Sequence, residues 1–434
     1  MFMHVVKKAL RPKHFFRQIV WLSRVFAARR NYHRNLQRIR VEAGQRKLRV
    51  VFFVNEVSKW KVQTLYDLML RSGRFEMVVA LDLSGRYVAM PRDERDGYLA
   101  RNRRFFEEKG IPTVDAVALD GVKYDLRQLN PDLVFYQQPY NDDVEVDPYE
   151  ASAYALTCYV PYFVMNYGAP DIECCRYLHR MIWRHFLLNE AWVRFYSSYM
   201  PQFAVAGKMV GLGHPSMDDL YLKRNRVKNI GYVIYAPHWS FDHPGNQVAN
   251  AFAVSTFLEN GKFILEYAER HRELKWVFKP HPLLYPVLYK SGVMTRSEVD
   301  AYFDRWRQVG IVHDTPDYQE VFLASKAMIT DSCSFTTEYP ATGHPLIHLI
   351  CGTARKKPIG PSKELYRHFY RTHNNVELEK TLDMVIVRGE DPMREERLKA
   401  VAMAGLSGIY AAKNILMHLS NELNLNLSEK ELML

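Results

Sequence analysis

Residues 323–350 read LASKAMITDSCSFTTEYPATGHPLIHLI, and this stretch decides the fold. Lys326–Thr330 is a short apolar run of the kind found in a strand buried on both faces. It ends in a cluster of small hydroxyl residues, Asp331-Ser332-Cys333-Ser334. Residues 335–342 start a helix, and PLIHLI (345–350) is a second apolar run. Strand, polar turn, helix and strand make one βαβ unit, which implies a parallel sheet.

The same rhythm extends in both directions. Upstream lie a strand at GYVIYAPHW (231–239), a helix over 249–271, a strand at KWVFKPHP (275–282), a strand at GIVHDT (310–315) and a helix at YQEVFLAS (318–325). An earlier series starts at LRVVFFVN (48–55). It continues with a helix near 60–71, FEMVVALDL (75–83), a charged helix near 91–109, a helix-like 123–129, PDLVFYQQPY (131–140) and CYVPYFVMN (158–166). Residues 169–210 read as helical, GLGHPSMDDL (211–220) as a turn-rich hinge, and 393–422 as helical. The expected fold is α/β, with two Rossmann-like domains facing a central cleft and a basic amphipathic helix at the N-terminus. The expected divisions are a basic segment over 1–46, a first Rossmann-like domain over 47–210, a second over 211–392 and a helical segment over 393–434. Ligands of such sheets bind beyond the C-terminal ends of the strands, where every notable polar cluster of the second half falls.

Bulk properties narrow the function. The chain has 434 residues and a net charge of +11, but residues 1–49 alone carry fourteen Lys or Arg against Glu42, a net +13. The remainder sums to −2, so the basic character belongs to an appendage and not to the fold, which argues against nucleic acid as a partner. Cys158, Cys174, Cys175, Cys333 and Cys351 contain no CxxC pair, so neither a disulfide framework nor a zinc site is indicated and a reducing cytoplasm is expected. Within residues 14–32, Phe15, Ile19, Leu22 and Phe26 fall on one helical face, bordered by Trp21 and Val25, while Arg17, Arg24, Arg29 and Arg30 lie mostly elsewhere. Arg17 and Arg24 break the apolar stretch too often for a signal peptide or a membrane span. The pattern suits the surface of an anionic membrane. The competing reading is a helix docked on the protein's own core.

Three strand ends carry the candidate chemistry. Lys279-Pro280-His281-Pro282 places an ammonium and an imidazole where they could neutralise a phosphate; alternatively His281 caps a turn. Thr330, Asp331, Ser332, Ser334, Thr336 and Glu338 surround a strand-to-helix turn that could hold an anion, although helix capping alone explains such residues. His238, in Tyr235-Ala236-Pro237-His238-Trp239, could face the same place or sit in a turn beside a core tryptophan.

The order of these motifs carries more than any one of them. YAPHW, FKPHPLL and LASKAMITDSCSFTTEYPATGHPLIHL resemble the consecutive motifs of the CDP-glycerol glycerophosphotransferase family, and GHPSMDDL (213–220) resembles the segment before its second domain. The resemblance covers about 211–350. It implies a GT-B fold, a CDP-activated alditol donor, a lipid-linked or glycan acceptor, no cofactor and no metal, and peripheral association with the cytoplasmic face of a bacterial inner membrane. It further implies that His281, assisted by Lys279, acts on the donor pyrophosphate. By the same resemblance Ser332 and Ser334 hold donor phosphate and Glu338 contacts ribose or the transferred group; His238, Thr330, Asp331 and Thr336 complete the donor-binding set. The family's N-domain histidine is absent: the comparable strand end reads Tyr162-Phe163-Val164-Met165-Asn166-Tyr167-Gly168. Either another residue takes the base role or the acceptor differs; Asn55, Glu56, Asp142 and Asp143 follow first-domain strands and are candidates, although ordinary solvated loop residues explain each of them.

Overall fold

The computed structural model describes residues 12–82, 91–116, 124–139, 147–163, 167–168, 174, 176–200, 207–245, 253–315, 317–350, 352, 357–406 and 410–433. The chain forms two compact units. One comprises Met1–Tyr162, Cys174–His214 and Ala412–Leu434, and the other Phe163–Glu173 and Pro215–Ala411.

In the first unit, β1 (Leu48–Val54), β2 (Phe75–Leu81), β3 (Thr113–Asp115), β4 (Leu133–Tyr136), β5 (Leu156–Tyr159), β6 (Arg184–Leu187) and β7 (Met209–Gly211) form a parallel sheet in the order β3-β2-β1-β4-β5-β6-β7. In β1 only Arg49 is exposed, because helices cover both faces of a parallel sheet and leave no solvent side to alternate with. Phe52 stacks on Phe135 of the next strand at 4.9 Å, and Trp60 meets Phe52 edge-on at 5.5 Å. One strand reading ends earlier than expected. The run at 158–166 stops at Tyr159, before Pro161, which cannot donate to a ladder. The 169–210 region also holds β6 and β7, besides a helix at Glu190–Tyr199. These strands are only a few residues long, too short to show a period against their aromatic surroundings.

In the second unit, β8 (Tyr232–Ala236), β9 (Lys275–Phe278), β10 (Gly310–Val312), β11 (Ser325–Thr330), β12 (Leu346–Leu349) and β13 (Tyr370–Thr372) pair in parallel in the order β10-β9-β8-β11-β12-β13. Phe278 of β9 stacks on Trp306 at 4.8 Å, fixing the helix Arg296–Val309 to the sheet. Asp218, fully buried, accepts from the N–H groups of Tyr410 and Ala411 and pins the segment that precedes the C-terminal helix Ala411–Leu423.

The N-terminal helix α1 (Pro12–Glu42) packs on the first unit through Val25, Ala28, Tyr32, Asn35 and Ile39, a stripe spaced three and four residues apart. The Tyr32 hydroxyl donates to the Met181 carbonyl at 2.7 Å and bonds Thr157, and Asn35 donates to the carbonyls of Ser152 and Ala155. Near its C-terminal end, Arg38 and Arg46 flank the buried Asp132 at 3.0 and 2.7 Å. These charges, with the Arg49 N–H, hold the Asp132 carboxyl below the usual aspartate value despite its burial. Val25, read as a border residue, is thus a docking residue. Leu22 and Phe26 point away and are 42% and 63% exposed; the side chains of Phe15, Arg17 and Ile19 lie outside the described set. Among the described residues no helix is long and apolar enough to cross a membrane.

Candidate functional site

The 3-2-1-4-5-6 order of the second sheet reverses direction between β8 and β11. A doubly wound sheet opens a crevice at that point, beyond the carboxyl ends of its strands. The register sets Ala236 beside Thr330, and Tyr235 beside Phe278. The next residues are Pro237-His238 after β8, Lys279-Pro280-His281 after β9 and Asp331-Ser332 after β11. The three motifs found separately in the sequence are therefore one cluster.

Its centre is a pair of half-buried imidazoles. The rings of His238 and His281 meet edge to face with centroids 5.0 Å apart, and Trp239 lies 5.8 and 6.1 Å from them. His281 is anchored by its own N–H on the Pro237 carbonyl at 3.0 Å, and its Nδ1 accepts the Leu283 N–H at 3.1 Å. The Nδ1 of His238 accepts the Ser240 N–H at 3.2 Å and lies 2.7 Å from the Ser240 hydroxyl. An Nδ1 that accepts leaves the proton of a neutral ring on Nε2, so both histidines are set as Nε2–H donors. His281 also caps its turn; the structural and the chemical readings of this residue are compatible.

Asp331 has a different task from the anion contact expected of its motif. Its carboxylate accepts the His238 N–H at 2.6 Å through Oδ1, and the Thr256 N–H at 2.6 Å and Thr256 hydroxyl at 3.1 Å through Oδ2. Burial pushes its pKa up to about 6, and these donors pull the other way. The residue ties the loop after β8 to the start of the helix Phe257–Arg270. The Thr330 hydroxyl donates to the Ala236 carbonyl at 2.6 Å and accepts the Ser332 N–H. Thr336 donates to the Cys333 carbonyl and bonds the Tyr366 hydroxyl. Ser332 and Ser334 hydroxyls are 3.3 Å apart at the turn itself. The helix that follows is a single α-turn, Phe335–Glu338, continued as a 3-10 turn over Tyr339–Thr342, so its dipole is short.

Lys279 and Glu338 are linked by a residue the sequence reading passed over. The Lys279 ammonium donates to the Thr315 carbonyl at 3.1 Å and lies 5.2 Å from the centroid of the Tyr318 ring. The Tyr318 hydroxyl donates to Glu338 at 2.5 Å. Burial, together with the Glu338 carboxylate, raises the Tyr318 pKa well above that of a free phenol, so it stays a donor. Nothing local marked Tyr318, because both partners are distant in sequence. Among the described residues no group of three His, Cys, Asp or Glu side chains could hold a metal ion. On the first unit, Asn55 and Glu56 directly follow β1; Asp142, Asp143 and Asn166 lie outside the described residues.

With this geometry in hand, the whole chain can be set beside solved structures. It is similar to the wall teichoic acid polymerase TagF, at 12% identity and a TM-score of 0.55, covering 96% of this chain and 100% of that one. It is also similar to UDP-GlcNAc 2-epimerase from Neisseria meningitidis bound to UDP-GlcNAc, at 15% identity and a TM-score of 0.53, with 86% and 100% covered. The S. aureus MnaA–UDP co-structure aligns at 13% identity and a TM-score of 0.50, with 88% and 98% covered. The shared fold is GT-B, two Rossmann-like domains with flanking helices. No protein-family model and no curated protein sequence matches the chain.

Proposed function

We propose that the protein is a transferase moving an alditol phosphate from a CDP-activated donor to a hydroxyl of a lipid-linked or glycan acceptor in bacterial envelope polymer synthesis. The observation that carries this reading is the meeting of YAPHW, KPHP and TDSCS at one switch point, in the motif order of the glycerophosphotransferase resemblance. A TagF structure soaked with CDPG has the same fold, which adds support. In the reaction the acceptor oxygen attacks the β-phosphorus, the bond from that phosphorus to the bridging oxygen breaks, CMP leaves with the electron pair, and the acceptor proton passes to a base. Lys279 would neutralise charge growing on the pyrophosphate and the Nε2–H groups of His281 and His238 would donate hydrogen bonds to it, while Ser332 and Ser334 bind phosphate oxygens. Glu338, steadied by Tyr318, would contact ribose or the transferred group. No metal or cofactor enters this scheme. The exposed Leu22 and Phe26 among arginines suit an anionic membrane surface, at the cytoplasmic face where a lipid-linked acceptor would lie.

A second reading is a nucleotide-sugar enzyme on the same fold, favoured by the likeness to epimerases carrying UDP or UDP-GlcNAc. A non-catalytic nucleotide- or polymer-binding protein is a third, supported by the missing N-domain histidine. Thermal shift with CMP, CDP, CDP-glycerol, CDP-ribitol, UDP and GDP separates them. A ligand at 100 times its dissociation constant adds about 2.7 kcal/mol. Selective stabilisation by cytidine nucleotides, weakened in His281→Ala, is expected; selectivity for UDP or GDP moves the assignment to the second reading, and no shift with any nucleotide favours the third.

A further inference from the structure

Over its first six strands the first sheet has the same order as the second, with a seventh strand added at its edge, and its direction reverses between β1 and β4. At the carboxyl ends of those two strands stand three buried amides, Asn55 after β1 and Gln137 and Gln138 after β4, exposed by only 3%, 2% and 6%. Lys59 links them: its ammonium donates to Asn55 Oδ1 at 3.2 Å and to Gln138 Oε1 at 2.8 Å. The Gln137 Oε1 accepts the Lys61 N–H at 3.0 Å. With their oxygens fixed by donors, Asn55 and Gln137 cannot be flipped, and the NH2 groups are what remains. Asn55 Nδ2 and Gln137 Nε2 are both buried and have no hydrogen-bond partner among the described residues. Buried amide donors are nearly always partnered, and each one left alone costs stability. Two of them at one switch point, unmet by any described residue, are what a bound ligand would complete.

We propose that this cluster binds a neutral, hydroxyl-rich group, a polyol or sugar, which under the transferase reading is the end of the acceptor. The two NH2 groups offer donors to hydroxyl oxygens. Displacing the Lys59 ammonium, whose side chain is 17% exposed, releases the Asn55 and Gln138 oxygens as acceptors for hydroxyl protons. A polyol matches such a mixed set because each hydroxyl both donates and accepts. Charge argues against a phosphate: the Lys59 ammonium is paired with Glu56 at 3.6 Å, so the cluster carries no net positive charge to attract one.

Saturation-transfer NMR on the full chain with glycerol, ribitol and methyl β-glucoside tests this. At least one probe is expected to bind in the millimolar range. Asn55→Ala removes the first NH2 donor, and the folded variant should bind that probe at least tenfold more weakly. Gln137→Leu, which removes the second donor, should do the same. Absence of binding by folded wild-type protein overturns the proposal. So does equal binding by wild type and both variants, the result expected if internal waters complete the amides, and so does displacement of the probe by millimolar inorganic phosphate. The nucleotide shifts are measured on the same samples. If polyol binding behaves as stated while no cytidine nucleotide binds, the transferase reading fails and the site stands.

Discussion

At the scale of single residues, the second-unit cluster divides into side chains that can meet a ligand and side chains that hold them. His238 and His281 belong to the first kind, and Asp331, Thr330 and Thr336 to the second. Asp331→Asn keeps the shape but turns one accepting oxygen into a donor that faces an N–H group. That change is expected to cost about 1–3 kcal/mol and to lower affinity for the donor nucleotide, because the His238 loop loses its tether. Urea unfolding with nucleotide titration reads both effects, and an unchanged affinity would show that the tether does not position the site. Tyr318→Phe keeps the ring under Lys279 and removes only the hydroxyl on Glu338. The expectation is reduced turnover with nucleotide affinity nearly unchanged, whereas Tyr318→Leu, which also removes the cation–π surface, should weaken both. His281→Ala should reduce turnover by orders of magnitude in a folded protein; retained activity would remove it from the mechanism. The sequence made the histidines legible because motif order marks a strand end. It could not show that Asp331 looks inward, since an aspartate before a helix reads the same whether it binds a ligand or a loop.

At the scale of elements, α1 has two unlike faces. One stripe is docked, so Ile39→Ala should destabilise the protein by about 2–4 kcal/mol, as expected when a fully buried aliphatic side chain is truncated. The opposite stripe is not, so Phe26→Ser should leave the unfolding midpoint nearly unchanged. If that stripe meets lipid, Phe26→Ser combined with Leu22→Ser should reduce co-sedimentation with anionic vesicles severalfold. Equal sedimentation of wild type and double variant would remove the membrane from the account. The sequence pattern offered both faces at once. Periodicity identified Leu22 and Phe26 as a stripe, but the stripe that docks contains Asn35 and Tyr32, whose polar groups bond to carbonyls and a hydroxyl of the first unit. A hydrophobic count gives such residues no weight.

At the scale of the whole molecule, buried histidines set a pH dependence. Burial lowers His179 and His348 to about 3 and His344 to about 4, and holds His185 well below its ordinary value. An unfolded histidine titrates near 6.5. Above about pH 7 neither state is protonated and the histidines add no slope. From about 6.5 down towards 4, the unfolded chain takes up protons that the folded one refuses, so stability falls by up to about 1.4 kcal/mol per pH unit for each group. Asp331 runs the other way: its folded value of about 6 lies above that of a free aspartate, so within the same window it offsets one histidine. Urea midpoints should therefore fall between pH 7 and pH 5, and His185→Leu should make the slope shallower. A midpoint independent of pH would mean that these rings are solvated.

The sequence by itself determined the α/β class, the two parallel-sheet series, the strand-end position of KPHP, YAPHW and TDSCS, and the basic, amphipathic character of the N-terminus. Each of these is encoded locally, in a run of apolar residues, a proline, or a charge count. Only the tertiary structure decided that β8 lies between β9 and β11, which brings His238, His281 and Asp331 together, and that Tyr318 joins Lys279 to Glu338. It alone set Asn55 beside the Lys59 that also holds Gln138, and chose which stripe of α1 is buried. Those outcomes depend on strand order and on partners far apart in the chain. A sequence pattern averages over near neighbours, whereas strand order is fixed by which buried surfaces and hydrogen bonds can all be satisfied at once.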